Sequence, residues 1–195
     1  MLKQTDGVAG VGSYLVTDPA SLTTAMHALK RKQYVMQEAI LGSDETTAMA
    51  VARNGRLLGV FCVTFHKEVS LYVRDGFADD GKTLIDCAEF ERVSAVITVI
   101  RDIVETSGYN GLFGINYKLE RTNIDGTRSP MLTSEFTSDV KLGSLAVMTD
   151  FSKLGQNMHP LATPKFFEIN PRICGPMAAE PVNLRALIQI YIEAL

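Results

Sequence analysis

One short stretch near the end of the chain, residues 166–172 with the sequence FFEINPR, limits the fold most strongly. Two aromatic residues precede an alternation of polar and apolar side chains that a proline ends, which predicts a short strand running into a turn. Because successive strand residues point to opposite faces, Glu168 and Asn170 share one face about 6–7 Å apart. Such oxygen ligands suit Mg²⁺, and the guanidinium of Arg172 suits bidentate phosphate binding. The alternative is a strand end whose Glu168 and Arg172 form an ordinary surface ion pair.

The composition is that of an ordinary globular domain. Of the 195 residues, 46% are hydrophobic and 21% are charged, and the net charge is -3. This balance gives no electrostatic pull toward nucleic acid or an anionic membrane, so we expect neither as a partner. Cys62, Cys87 and Cys174 form neither a metal-binding spacing nor a disulfide framework, which favours a cytoplasmic location. No apolar run is long enough to cross a bilayer.

A glycine-rich turn holding Gly7, Gly10 and Gly12 separates the first two predicted strands. Glycines allow backbone amides to approach a phosphate closely, and Lys3 just before the turn adds a positive charge. The spacing matches neither the dinucleotide-binding fingerprint nor the P-loop, both of which lead into a helix. A plain glycine hairpin is the alternative.

The rest of the pattern predicts three helices packed on antiparallel strands, an α+β architecture. Asp18 followed by proline is a helix N-cap, and Asn54-Gly55 is the strongest hairpin signal in the sequence. Leu22, Met26 and Leu29 are expected on one face of the first helix. The second helix is expected to bury an apolar stripe made of Phe90, Val93, Val96, Ile97, Ile100, Ile103 and Val104. The predicted helices cover 19–32, 88–106 and 184–195, and the predicted strands cover 1–4, 14–16, 34–40, 45–52, 56–66, 68–74, 111–119 and 166–170. No chemistry is assigned to residues 120–164.

Three signals follow one another in a fixed order: Lys3 with its glycine turn, residues 37–45 (QEAILGSDE), and residues 166–172. In this order and spacing they resemble the ATP-grasp superfamily, within it most of all the large subunit of carbamoyl-phosphate synthetase and the carboxylate–amine ligases. The resemblance covers nearly the whole chain except roughly 120–164. It implies an ATP-grasp core, in which two antiparallel sheets with packed helices enclose a nucleotide cleft.

The resemblance also implies lobes and residue roles. A small nucleotide-binding lobe would cover 1–75, and a larger lobe with the metal site would cover 76–195. ATP phosphates would be bound by Lys3, Gly7, Gly10 and Gly12; adenine by Glu38 and the backbone of Ile40; ribose by Glu45; Mg²⁺ or Mn²⁺ by Asn116, Glu168 and Asn170; and the transferred phosphoryl group by the catalytic Arg172.

The implied reaction is ATP-dependent ligation of a small-molecule carboxylate and an amine through an acyl phosphate. Family members usually carry an N-terminal domain and the first part of the small lobe ahead of the position of Lys3. We therefore expect a fragment that turns over poorly alone, needing an N-terminal partner segment or forming a homodimer. The alternative is a non-catalytic or split ATP-binding subunit.

Glu38 gives the sharpest sequence-based prediction about the nucleotide. Alternation in the predicted strand 34–40 places Glu38 on one face with Met36 and Ile40. An unpaired carboxylate among apolar side chains is costly. The adenine amino group would satisfy it, and the alternative is an ion pair with a nearby Lys or Arg.

Overall fold

The computed structural model describes residues 1–6, 12–30, 32–40, 44–66, 82–85, 94–123, 125–130, 147–151, 162–172 and 181–195. Within these residues the chain forms three helices and two antiparallel sheets. The predicted α+β class is therefore confirmed. The predicted strand at 68–74 lies outside the described residues.

A small three-stranded sheet with one helix forms the N-terminal part. Its elements in chain order are β1 (Leu2–Gln4), β2 (Ser13–Tyr14), α1 (Pro19–Ala28) and β3 (Tyr34–Met36). β1 is the central strand, and its Leu2 packs against Ala25 and Leu29 at the C-terminal end of the helix. The core of this part is small, because only these three side chains form its fully buried cluster within the described residues.

The start of α1 is as predicted, whereas its buried face is not. The Asp18 carboxylate accepts a hydrogen bond from the Ser21 backbone N–H at 2.7 Å, and the Ser21 hydroxyl accepts one from the Asp18 N–H, a reciprocal capping box. Of the three residues predicted to share the apolar face of α1, Leu29 is buried, whereas Leu22 and Met26 are each 41% exposed. The helix also ends at Ala28 rather than near residue 32.

The predicted strand 34–40 is also too long, because β3 ends at Met36. Met36 pairs with Leu2, the first residue of β1, and the N-terminal amino group of Met1 donates to the Gln37 carbonyl at 2.8 Å. No ladder pairing is found beyond Met36 among the described residues of this segment. Glu38 and Ile40 therefore lie in a segment that follows the strand.

The second sheet holds six strands among the described residues, in the order β6-β5-β4-β7-β8, with β9 also paired to β7. These are β4 (Asp44–Arg53), β5 (Arg56–His66), β6 (Lys82–Ile85), β7 (Gly111–Thr122), β8 (Arg128–Pro130) and β9 (Ala162–Asn170). Since Glu120 pairs with both Pro130 and Thr163, β8 and β9 lie on opposite edges of β7. The predicted lobe boundary at 75/76 falls outside the described residues, and strands from both sides of it share this sheet.

The tight turn between β4 and β5 is the predicted Asn-Gly hairpin. Asn54 and Gly55 both have positive φ, 49° and 72°, the left-handed conformation that a type I′ turn requires. Glycine adopts this conformation without steric cost, and asparagine tolerates it better than most residues. The turn fixes the register in which Arg53 faces Arg56.

Two helices cover the large sheet and complete the main core. α2 (Ser94–Ser107) packs on β5, and α3 (Pro181–Glu193) packs on β4 and β5. Five consecutive residues of β4, 48–52, are fully buried, so both faces of the strand are covered there. The fully buried residues of α2 are Val96, Ile97, Ile100 and Val104, all of which belong to the predicted apolar stripe. In the described part of the chain, no helix combines the length and apolar character needed to cross a membrane.

Candidate functional site

One face of the large sheet is apolar under α3 and becomes polar farther along the strands. At the apolar end, a Cβ placed on Gly59 of β5 would lie 3.2 Å from Leu187 of α3. Gly59 pairs with Val51, and beyond Met49 of β4 the side chains on this face of β4, β7 and β9 are polar or charged. We call eight of these side chains the polar row: Glu45, Thr47, Asn116, Lys118, Glu120, Lys165, Glu168 and Asn170.

The predicted metal ligands meet at one end of the polar row. Asn116 pairs with Glu168 across β7 and β9, and Gly114 pairs with Asn170. Directly opposite residues in an antiparallel sheet have Cβ atoms about 4.5–5.5 Å apart on one face. The prediction that Glu168 and Asn170 share a face is therefore confirmed, and Asn116 lies on that face too. Glycine at position 114 adds no side chain beside Asn170.

Two hydrogen bonds fix the side chain of Asn116. Its Nδ2 donates to Glu45 Oε1 at 3.0 Å, and its Oδ1 accepts from Thr47 Oγ1 at 3.1 Å. Glu45 is only 4% exposed. Its carboxylate thus holds the Asn116 amide from the neighbouring strand β4, and the ribose role implied by the resemblance stays a prediction. The Oδ1 atom keeps a second lone pair.

The other end of the polar row carries charge of both signs. Lys118 pairs with Lys165 across β7 and β9, and Lys118 is 4% exposed. Lys165 Nζ lies 3.9 Å from Glu120 Oε2, and Arg128 approaches the same oxygen at 4.0 Å. That oxygen is buried and accepts no hydrogen bond from the described residues. The Glu120 carboxylate is therefore neutralised by two cations at ion-pair distance.

Glu38 contacts the polar row through Lys165. The Lys165 ammonium lies 3.7 Å from Glu38 Oε2, so the ion pair expected as the alternative for this residue is present. The Glu38 side chain is 68% exposed, so the expectation of a buried carboxylate is wrong. Since Glu38 follows β3, this ion pair joins the end of the small sheet to the large one.

The remaining predicted site residues lie apart from this cluster. Lys3 is in the central strand of the small sheet, and Gly12, with φ 75°, directly precedes the neighbouring strand β2. Arg172 is exposed in the turn directly after β9, and Ile40 is partly buried. Gly7 and Gly10 lie outside the described residues. The large sheet thus assembles Glu45, Asn116, Glu168 and Asn170, with Glu38 attached by an ion pair.

Sequence reasoning missed four members of the polar row. Thr47, Lys118 and Glu120 lie two or four residues from a predicted site residue, so strand alternation alone would have found them. Lys165 is different, because alternation from Glu168 puts it on the opposite face. A bulge opposite Tyr117 on β7 inserts one extra residue in β9 and turns Lys165 onto the polar face.

The donor set has the chemistry of a shared magnesium site. Among the described residues, no group of three or more His, Cys, Asp or Glu is arranged to hold a metal alone. The three candidate ligands supply one carboxylate and two amide oxygens. Mg²⁺ is usually held by one or two carboxylates, with phosphates and waters completing its shell. These residues therefore fit a metal that arrives with a phosphate ligand.

Comparison with known proteins gives no family for the chain. No family model matches the sequence, and no curated protein matches it either. A function must therefore be inferred from the polar row itself.

Proposed function

We propose that the polar row binds ATP with Mg²⁺ and that the chain is the nucleotide-binding core of an ATP-grasp ligase. The observation that best supports this is the 3.7 Å ion pair between Lys165 and Glu38. It brings the segment proposed to bind adenine onto the face that carries Glu168 and Asn170. Both ends of a nucleotide site would then belong to one continuous surface.

The metal would be held by the Glu168 carboxylate and the amide oxygens of Asn170 and Asn116. Thr47 and Glu45 orient Asn116 before any ligand arrives, as partners behind metal ligands commonly do. Bound Mg²⁺ supplies positive charge where the transferred phosphate develops negative charge. The chain thus contributes a fixed orientation of the Asn116 ligand and the single negative charge of Glu168.

Arg172 is proposed to act on the transferred group, because it is exposed just beyond Asn170 and offers a planar set of donors. In the proposed reaction a substrate carboxylate oxygen attacks the γ-phosphorus and ADP leaves. The amine nitrogen then attacks the acyl carbon, and inorganic phosphate leaves. Such chemistry depends on positioning and charge stabilisation, so no side-chain nucleophile is needed.

Glu38 is proposed to accept a hydrogen bond from the adenine amino group. Its ion pair with Lys165 is compatible with this role, because Glu38 is 68% exposed. Pairs with such exposure typically contribute about 0–1 kcal/mol. Glu38 can therefore turn from Lys165 to the base at little cost in stability.

Binding of ATP and of inorganic triphosphate to a Glu38→Ala variant tests this proposal. By calorimetry, ATP binding should weaken by about 1–3 kcal/mol, the range for losing a hydrogen bond to a charged group. Triphosphate, which has no base, should bind as well as before or better. Glu105→Ala is the matched control, since Glu105 is 59% exposed and pairs with Arg101 at 3.8 Å. Equal losses for both ligands, or no ATP binding by the unaltered chain, would contradict the proposal.

A further inference from the structure

Lys165 lies between the two proposed ends of the nucleotide site. Its ammonium reaches Glu38 at 3.7 Å, and along β9 it is three residues from Glu168, about 7–10 Å with the bulge. A ligand that touches Glu38 at one end and Glu168 at the other must pass over this side chain. In an adenosine nucleotide, the part between the base and the metal-bound phosphates is the ribose and the α-phosphate.

The Lys165 side chain is in a position to bind an anion. It is 23% exposed, and its contacts with Glu38 and Glu120, at 3.7 and 3.9 Å, are longer than charge-assisted hydrogen bonds, about 2.7–2.9 Å. The ammonium therefore has donors available for a closer partner. Exchanging the exposed Glu38 for a phosphate would replace a screened ion pair with a direct hydrogen bond.

The bulge in β9 brings Lys165 onto the face of the polar row. Without it, alternation from Glu168 would place Lys165 on the other side of the sheet. The bulge therefore puts an ammonium group on the same face as the proposed metal ligands.

We propose that Lys165 binds the α-phosphate of the nucleotide and exchanges Glu38 for this phosphate on binding. This inference depends on the proposed nucleotide site. The inference adds Lys165 to the residues that bind the 5′-phosphate. Because Lys165 then releases Glu38, the Glu38 carboxylate becomes available for adenine when the nucleotide is bound.

The ratio of AMP affinity to adenosine affinity tests the inference, because the two ligands differ only in the α-phosphate. Calorimetry or ligand-observed NMR on the full chain gives both values. Lys165→Met should weaken AMP binding by about ten- to hundredfold, as expected for one hydrogen bond between charged groups. Adenosine binding should stay the same or tighten slightly, because Glu38 no longer has an ion pair to leave, and Lys165→Arg should retain most of the AMP preference.

Arg128→Met is the matched control, because Arg128 approaches the same Glu120 oxygen at 4.0 Å, whereas the ion pair with Glu38 is made by Lys165. A purely structural ion-pair network would make both substitutions equally harmful, whereas the inference predicts an unchanged ratio in Arg128→Met. Glu38→Ala, at an exposed position, provides a second test if Lys165→Met does not fold. It should weaken both ligands alike and preserve the ratio, because only AMP carries the phosphate that Lys165 binds; loss of the AMP preference would overturn the inference.

Failure of the inference differs from failure of the proposed function. If the unaltered chain prefers AMP to adenosine and Lys165→Met keeps that preference, the role of Lys165 is wrong and the nucleotide site stands. An unaltered chain that binds ATP but does not prefer AMP to adenosine would likewise overturn the role of Lys165 alone. If the unaltered chain binds none of the nucleotides, both proposals are wrong.

Discussion

Replacing Asn116 by alanine should destabilise the chain measurably, because this side chain makes two hydrogen bonds between β7 and β4. The bond from Nδ2 to Glu45, at 3.0 Å, involves a carboxylate that is 4% exposed, and such bonds contribute about 1.5–3 kcal/mol. The bond from Thr47, at 3.1 Å, joins neutral groups and contributes about 0.5–1.5 kcal/mol. We therefore expect Asn116→Ala to lower the free energy of unfolding by about 2–4 kcal/mol.

Urea unfolding followed by circular dichroism measures this change, and the slope with denaturant should stay constant. Thr47→Val is the matched control, since it keeps the side-chain shape and removes only the weaker bond. It should cost about 1 kcal/mol, and adding it to Asn116→Ala should cost little more, because that bond is already lost. A loss below about 0.5 kcal/mol for Asn116→Ala would refute the claim that Asn116 anchors Glu45.

Three further predictions concern the fold. Gly55→Ala should lower the free energy of unfolding, measured with urea, by about 1–2 kcal/mol, because alanine is strained at a φ of 72°. The nearest atoms to the new Cβ, at 3.5 Å, leave room for it, so an unchanged free energy would refute the left-handed turn. Gly59→Ala should lower the free energy of unfolding by about 1–3 kcal/mol, because its Cβ would lie 3.0 Å from Val147 and 3.2 Å from Leu187 of α3. Unchanged stability would mean that α3 does not pack against this position. The backbone N–H of Ser21, followed by the Thr17 hydroxyl, lowers the pKa of Asp18, so its capping contribution is complete above the unfolded pKa and is lost as pH falls below about 4. NMR titration of the Asp18 carboxyl should give a midpoint below that of an unstructured Asp, with Asp18→Asn as the non-titrating control, and an ordinary midpoint would contradict the capping geometry.

The sequence predicted the local features well, because short-range chemistry determines them. Asn54-Gly55 and Asp18 were recognised since a type I′ turn and a helix N-cap require those residue types. Alternation correctly put Glu168 and Asn170 on one face, and the 3.6-residue period correctly indicated the buried side of α2.

Long-range register was not predictable from one sequence. Nothing local indicates that Asn116 lies opposite both Thr47 and Glu168, because register depends on which strands pair. The bulge that turns Lys165 onto the polar face has no signal in the sequence FFEIN. The length of β3 also depends on a distant partner, since its three residues are the ones that pair with Leu2, Lys3 and Gln4 of β1.

The central claim is that Glu168 and Asn170 bind a metal ion that is also bound by the phosphates of ATP. Calorimetric titration of the chain with ATP, once in the presence of Mg²⁺ and once in the presence of EDTA, tests it most directly. The unaltered chain should bind ATP more tightly with Mg²⁺, because the carboxylate of Glu168 attracts the cation and repels bare phosphate. Glu168→Gln should reduce or abolish this gain, whereas Glu105→Gln, on the exposed side of α2, should preserve it. An undiminished Mg²⁺ gain in Glu168→Gln, or no ATP binding by the unaltered chain under either condition, would contradict the account.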